Sequence, residues 1–294
     1  MADVEIERRE GIVTITLNRP QVRNAIDPSM AQTLAGAIIE LENNPDLCVA
    51  ILRGRVLEPN PVFCAGADLK SLKAVKQKLV DGIDSGEPSI YTPIGGFAGL
   101  TRYPRTKPVI AAIDGLATAG GLELVMACDL VVASKRSSFC QAEVRLGTVA
   151  AAGALFRLPW ALGRAAALDL ILTGDRMPAE RAYQLGLVST LVETGDEVYA
   201  AARERAEMIC KNSPQSVRES YHVASRAFVS SIEELWQMLD EAKLRILRNP
   251  DALAGVNAFL NKTHAQMGTG EPVERSVDAS AQLPRRGGSE CPPK

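Results

Sequence analysis

The sequence predicts an α/β fold. Three observations lead there: short apolar runs that read as buried strands, glycine-rich turns after them, and amphipathic helical stretches before the next strand, returning every roughly 50–60 residues. The elements follow in order. Residues 4–18 alternate apolar and polar side chains on both sides of Glu10-Gly11 (Val4, Ile6, then Ile12, Thr14, Thr16), the pattern of a β-hairpin. Asp27-Pro28 reads as an N-cap followed by proline at the first helical position. Met30, Leu34, Ile38 and Leu41 continue at helical spacing, and Asn43-Asn44-Pro45 ends the helix. The run Cys48 to Leu52 fits a buried strand, and after a turn-rich segment Asp68 is placed to cap a further helix. Residues 81–106, rich in Gly, Pro, Asp and Ser, read as a long, partly mobile loop. VIAAI (109–113) is a strand, followed by a glycine-rich turn and the helical stretch LELVMA; DLVVA (129–133) is another strand.

From about residue 200 onward only helices are expected. AARERAEMICKNS, SIEELWQMLDEAKLRIL and DALAGVNAFLNKT are each amphipathic. Residues 267–294, with several Pro and Gly and few large apolar side chains, read as a disordered tail.

Composition narrows the chemistry. The 294 residues are 46% hydrophobic, 23% charged and only 4% aromatic, so an aliphatic core is expected. Lys and Arg number 33 against 35 Asp and Glu, a formal charge of −2, which argues against binding nucleic acid or membrane by bulk charge. With two histidines, His222 and His264, a zinc site built on several His is disfavoured, and no metal is expected. The six cysteines (Cys48, Cys64, Cys128, Cys140, Cys210, Cys291) contain no CxxC pair. The start MADVEIERREG has no apolar targeting core, and no run is long enough to span a membrane. Reduced thiols in a cytoplasmic protein are the expectation. Carboxylates, hydroxyls, backbone groups or a lone cysteine remain as catalysts.

The chain has no GxSxG elbow, no Walker loop and no GxGxxG after a strand. The informative segment is KPVIAAIDGLATAGGLELVMACDL (107–130): a buried strand, then Gly115, then Gly120-Gly121, then a helix with Glu123 in its first turn. Adjacent glycines let backbone approach a ligand, and a helix start adds partial positive charge, together an oxyanion site. Taken alone, Glu123 reads first as a carboxylate that favours a helix N-terminus and points to water. Glu143, after a short strand and before Gly147, reads alone as half of a surface salt bridge with Arg145.

The chain resembles the crotonase superfamily, also called the enoyl-CoA hydratase/isomerase family. The matching segments are LNRPQVRNAID (17–27), FCAGADLK (63–70), KPVIAAIDGLATAGGLELVMACDL (107–130), QAEVRLGT (141–148), LTGDRMPAERAYQLGLVSTLV (172–192) and, more weakly, DALAGVNAFLNK (251–262). The resemblance implies a ClpP-like spiral of repeated ββα units over residues 1–200 and a helical oligomerisation region over 201–266. It implies an acyl-CoA thioester substrate whose carbonyl oxygen lies between the N–H groups of Ala67 and Gly120. It implies two catalytic glutamates, Glu143 as the acid/base at Cα and Glu123 as its water-binding partner. CoA would lie near Arg23, Ala25, Ala65, Asp68 and Leu69, with Phe259 and Lys262 closing that site. No resident cofactor is implied, since CoA arrives with the substrate. Assembly as a homotrimer or a dimer of trimers is implied as well.

Some positions depart from the family. Ala119 replaces the first of three glycines, a mild change on its face. VAAAGA (149–154) stands where well-known hydratases read IPGAGG, in a segment that lines the acyl pocket. The loop after Asp68 is about ten residues longer than in compact members, and it carries Tyr91, Phe97 and Tyr103 as candidates for a lid. The intact glutamate pair favours a hydratase over a double-bond isomerase, and Ala151 stands where dienoyl isomerases carry a further acid. A dehydratase or thioester hydrolase uses related chemistry. A non-catalytic CoA- or RNA-binding role is the alternative of another class. Lys70, Lys73 and Lys76 motivate it, but a charged stripe on an exposed helix is the favoured reading of them.

Overall fold

The computed structural model of the chain describes residues 2–71, 73, 89–263 and 268. Strands β1 (Val4–Arg9) and β2 (Ile12–Leu17) form the antiparallel hairpin, with Val4 opposite Leu17 and Arg9 opposite Ile12. Helix α1 (Pro28–Asn43) starts where the Asp27 carboxylate accepts the Met30 N–H at 2.9 Å, and it buries Met30, Leu34, Ile38 and Leu41. A helix also begins at Leu69, where the Asp68 carboxylate accepts the Lys70 N–H at 3.0 Å.

The chain then winds as a spiral. Each turn lays one strand in a large sheet, the next in a smaller sheet, and returns through helical backbone. The turns are β3 (Val49–Gly54) with β4 (Val62–Cys64), and then, past β5 (Tyr91–Thr92) and β6 (Gly96–Phe97), β7 (Val109–Ile113) with β8 (Leu116–Thr118) and α2 (Gly120–Ala127). Next come β9 (Leu130–Ser134), β10 (Ser138–Cys140), a 3-10 turn (Glu143–Leu146) and α3 (Ala154–Leu162). Helix α4 (Arg164–Thr173), β11 (Arg176–Pro178), α5 (Ala179–Gln184) and β12 (Thr190–Val192) complete it. The strand orders are β1-β2-β3-β7-β9-β12 and β11-β10-β8-β4. Within them only β1–β2 and β10–β11 are antiparallel.

Parallel strands are covered on both faces, which is why β3 and β7 read as unbroken apolar runs. One face of the large sheet joins the main core with α1 and the smaller sheet. The other face, Ile12, Val49, Ile51, Ile110, Ala112 and Val132, packs on Val198, Ala202 and Ala206 of α6 (Gly195–Cys210). Position 200 therefore falls inside a helix that belongs to the spiral's packing. Helices α7 (Pro214–Ala224), α8 (Ile232–Leu247) and α9 (Pro250–Leu260) follow. In a single chain α8 leaves Ile232, Trp236, Leu244 and Leu247 more than half exposed, at 54–68%.

This is the spiral of ββα turns that the resemblance implies. Residues 89–106 are a correction: they are packed, not loose. β5 and β6 form a small hairpin, and Ile90, Phe97, Ala98, Leu100 and Thr101 are buried. The glycines that suggest looseness serve close packing, since a methyl on Gly95 would sit 2.2 Å from the Gly99 oxygen. Lys76, residues 81–88 of the expected loop, and the expected tail apart from Gly268 lie outside the described residues. Among the described residues no helix is long and apolar enough to cross a membrane.

Candidate active site

Glu123 sits on the first turn of α2 and is 3% exposed. The helix reaches this depth because Gly121 lets it approach β4: a methyl there would lie 2.1 Å from the Cys64 carbonyl oxygen. The Glu123 Oε1 accepts the Ala152 N–H at 2.7 Å and the Ala154 N–H at 3.2 Å. This is a carboxylate anchored inside the protein, not one turned to water. Burial pushes its pKa up to about 7. The Ala154 and Ala152 amides oppose that rise, the charge of Glu143 adds to it, and the Arg157 guanidinium opposes it.

Glu143 opens the 3-10 turn after β10 and is 8% exposed. Its Oε2 accepts the Gln141 side-chain amide at 2.7 Å. Burial raises its pKa and the Gln141 donor works against that rise. The surface-bridge reading does not hold, because Arg145 pairs with Asp175 instead. Two carboxylates from consecutive turns of the spiral are thus buried within electrostatic reach of one another.

The turns bearing Ala67 and Gly120 also meet. Gly66 has φ +87°, and a methyl on it would stand 2.7 Å from the Gly120 nitrogen. Ala67 bridges Ile26 in parallel: the Ile26 N–H donates to Gly66 O at 2.7 Å and the Asp68 N–H to Ile26 O at 2.9 Å. That pattern uses the groups on either side of Ala67 and turns its own N–H away from Ile26. Gly120 opens α2, where an amide has no carbonyl one turn earlier to donate to. Ala119, which precedes it, has φ 53° and ψ −127°, a region suited to glycine. The substitution here is therefore a strained one, not a mild one.

Of the expected CoA residues, Arg23, Ala25 and Ala65 are brought together, with the Ala65 N–H donating to Arg23 O at 3.0 Å. Asp68 faces Arg19 at 3.4 Å, and Leu69 is 61% exposed beside it. Phe259 is 83% exposed near the end of α9, Lys262 is exposed just beyond, and that helix is tied to α7 through Asp251 and Ser213 (2.7 Å). In a single chain Phe259 and Lys262 are therefore left exposed.

The three aromatic candidates separate. The Tyr91 phenol is pushed up by burial and, less, by the charges of Glu123 and Glu143. Phe97 is buried, 5.7 Å from the Tyr91 ring, and packs over Gly120. Tyr103 instead lines a different cavity of about 430 Å³ with Met126, Arg157 and Trp160. Sequence reasoning passed over Gln141, Ala152 and Arg157. Gln141, two residues from Glu143, was the one with a local signal. Among the described residues no three His, Cys, Asp or Glu side chains are gathered to hold a metal.

Known proteins show the same arrangement of chain. The family described as Enoyl-CoA hydratase/isomerase matches residues 7–269. The carnitinyl-CoA dehydratase of Proteus mirabilis (strain HI4320) is 34% identical over 267 residues, 88% of this chain and 95% of its own. A probable enoyl-CoA hydratase of Mycobacterium tuberculosis (strain CDC 1551 / Oshkosh) is 35% identical over 263 residues, 89% of this chain and 96% of its own. The crystal structure of an enoyl-CoA hydratase from Mycobacterium tuberculosis H37Rv superposes with a TM-score of 0.82 at 35% identity, covering 91% of this chain and 99% of that one.

Proposed function

Because the chain belongs to the enoyl-CoA hydratase/isomerase family, we propose that it is an enoyl-CoA hydratase, adding water reversibly across the 2,3 double bond of a 2-enoyl-CoA. The observation that carries this reading is the pair of buried carboxylates, Glu123 and Glu143, beside the converging Gly66–Ala67 and Gly120 backbone. The thioester oxygen accepts from the Ala67 and Gly120 N–H groups. Glu123 orients a water and takes its proton as the oxygen adds at Cβ. The electron pair of the double bond moves toward the thioester oxygen, where the two amides stabilise the enolate. Glu143 gives a proton to Cα, and the pair is reset when the proton held by Glu123 returns to Glu143. A base with a pKa near 7 suits this task at neutral pH.

CoA lies along Arg23, Ala25, Ala65, Asp68 and Leu69, with Phe259 and Lys262 closing its nucleotide end once copies assemble. The 201–266 region builds a homotrimer or a dimer of trimers, which covers the apolar face left open on α8. The protein works in the cytoplasm, without a resident metal or redox cofactor.

The test is a panel of short, medium and branched 2-enoyl-CoAs, followed by loss of the conjugated thioester's absorbance and by product mass. Wild type should hydrate at least one, and E123Q and E143Q should each lose about 10²–10⁴-fold in kcat. A wild type inert across the panel overturns the reading. Dehydration of a 3-hydroxyacyl-CoA is the second reading, favoured by the 34% identity to a carnitinyl-CoA dehydratase. It runs the same steps backwards, and the same panel with hydroxyacyl thioesters distinguishes it.

A further inference from the structure

The backbone that holds Glu123 has no side chains of its own to fix it. Residues 148–153 form neither helix nor strand, and from Ala150 to Ala154 they offer only methyl groups and one glycine. Yet Ala152 and Ala154 present their amides to a single carboxylate oxygen. What holds the segment comes from the next turn of α3. The Arg157 Nη1 donates to the Ala152 carbonyl at 3.1 Å, and Nη2 donates to the Thr101 carbonyl at 2.7 Å. Gly153 makes room for this: its φ is +115°, and a methyl there would lie 2.3 Å from Arg157 Nη1. Ala152 thus gives its N–H to Glu123 and its C=O to Arg157. Thr101 belongs to the packed segment that also carries Tyr91 and Phe97.

We propose that Arg157 is a positioning residue for Glu123, tying the Ala152 carbonyl to the Thr101 carbonyl so that two amides stay aimed at the carboxylate. This role rests on the reading of Glu123 as the water-binding catalytic group. Among the described residues no carboxylate lies within ion-pair distance of Arg157. The charges and titratable groups acting on the guanidinium are Arg105, Glu123, Cys128 and Tyr221. Those acting on Glu123 are Glu143 and Arg157, and its charge is felt in turn by the Tyr91 phenol. Arg157 therefore supplies a positive charge as well as a strut, and its loss lets burial push Glu123 further up. The guanidinium fork spans two carbonyls at once, while a lysine keeps the charge and reaches them less well.

The experiment compares wild type, R157Q and R157K in two ways. Carboxyl titration by NMR on glutamate-labelled protein, with E123Q identifying the signal, reads the Glu123 arrangement independently of turnover. R157Q should move the Glu123 midpoint to higher pH, and R157K should leave it near wild type. In hydration of the best enoyl-CoA, R157Q should lose kcat by about tenfold or more with KM nearly unchanged, and its acidic limb should follow the titration. R157K should recover part of that kcat. If R157Q does not fold, R157K decides: the proposal stands on a reduced kcat at unchanged KM with a wild-type midpoint, and falls on a wild-type kcat. A folded R157Q whose Glu123 titrates as in wild type overturns the role of Arg157. A wild type that hydrates nothing overturns the function and leaves the titration result to judge the arginine.

Discussion

The Gln141 side-chain amide donates to the Glu143 carboxylate at 2.7 Å, and both groups are buried. The other end of the same amide, Oε1, is buried with no hydrogen-bond partner among the described residues. An unpartnered buried acceptor costs about 1–3 kcal/mol, so stability alone gives little reason for a glutamine here. Q141L should melt close to wild type while kcat falls about tenfold, with the midpoint of the Glu143 titration moved up. Thermal melts and a pH–rate profile check both halves. A large loss of stability with unchanged kcat would contradict the assignment.

Glu123 holds its proton more tightly in the folded chain than its ordinary 4.5, with a midpoint of about 7. The folded state therefore binds more protons between those values, and stability falls as pH rises through that window. E123Q, which cannot ionise, should outlast wild type in urea at pH 8 by about 1–3 kcal/mol. The difference should vanish toward pH 4.5 and below. A difference independent of pH would sink this prediction.

Ala119 stands at φ 53° and ψ −127° immediately before Gly120. Holding a Cβ in such a conformation costs about 1–3 kcal/mol. A119G removes that cost and loosens the unfolded chain, so a net gain of about 1 kcal/mol is expected, read as a higher urea midpoint. Activity should not drop, because the backbone already adopts the glycine geometry.

Arg105 binds both oxygens of Asp129, at 2.7 and 3.1 Å, and also donates to the carbonyls of Lys107 and Ala127. Asp129 additionally accepts the Val109 N–H at 2.7 Å and the Tyr221 hydroxyl at 3.0 Å, linking β7 to α7. R105M leaves that carboxylate without its counter-charge and should cost about 3–5 kcal/mol. R105M/D129N should recover part of the loss, a coupling that a double-mutant cycle in urea measures.

Much of this architecture was readable locally. The hairpin about Glu10-Gly11, the Asp27 cap with Pro28, and the strands β3, β7 and β9 each carry their signal within a few neighbouring residues. The three-residue strands β11 and β12 do not, because alternation over three positions is no pattern. Helix α3 hides behind Pro159 and the short stretch before Gly163. The site is harder still. A buried glutamate and a surface glutamate are spelled alike, and what distinguishes Glu123 is a pair of amides 29 and 31 residues further on. Only the family resemblance named the two carboxylates. The strain at Ala119 and the clasp at Arg157 needed backbone angles and neighbours that no spacing encodes.

Leu116, Ala117 and Thr118 of β8 stand opposite Ser138, Phe139 and Cys140 of β10, and the Ala119 N–H extends that ladder to the Cys140 carbonyl at 2.9 Å. Glu123 follows the first strand and Glu143 the second, so this short ladder is the ruler that sets the gap between the two acids. Slipping it by one residue would shift one carboxylate by about 3.3 Å along the strand and turn every side chain of that strand to the opposite face. The spacing of the two carboxylates is thus cut into backbone pairing, and on the hydratase proposed above the side chains around them are free to vary with the acyl group without disturbing the distance at which water and proton would be delivered.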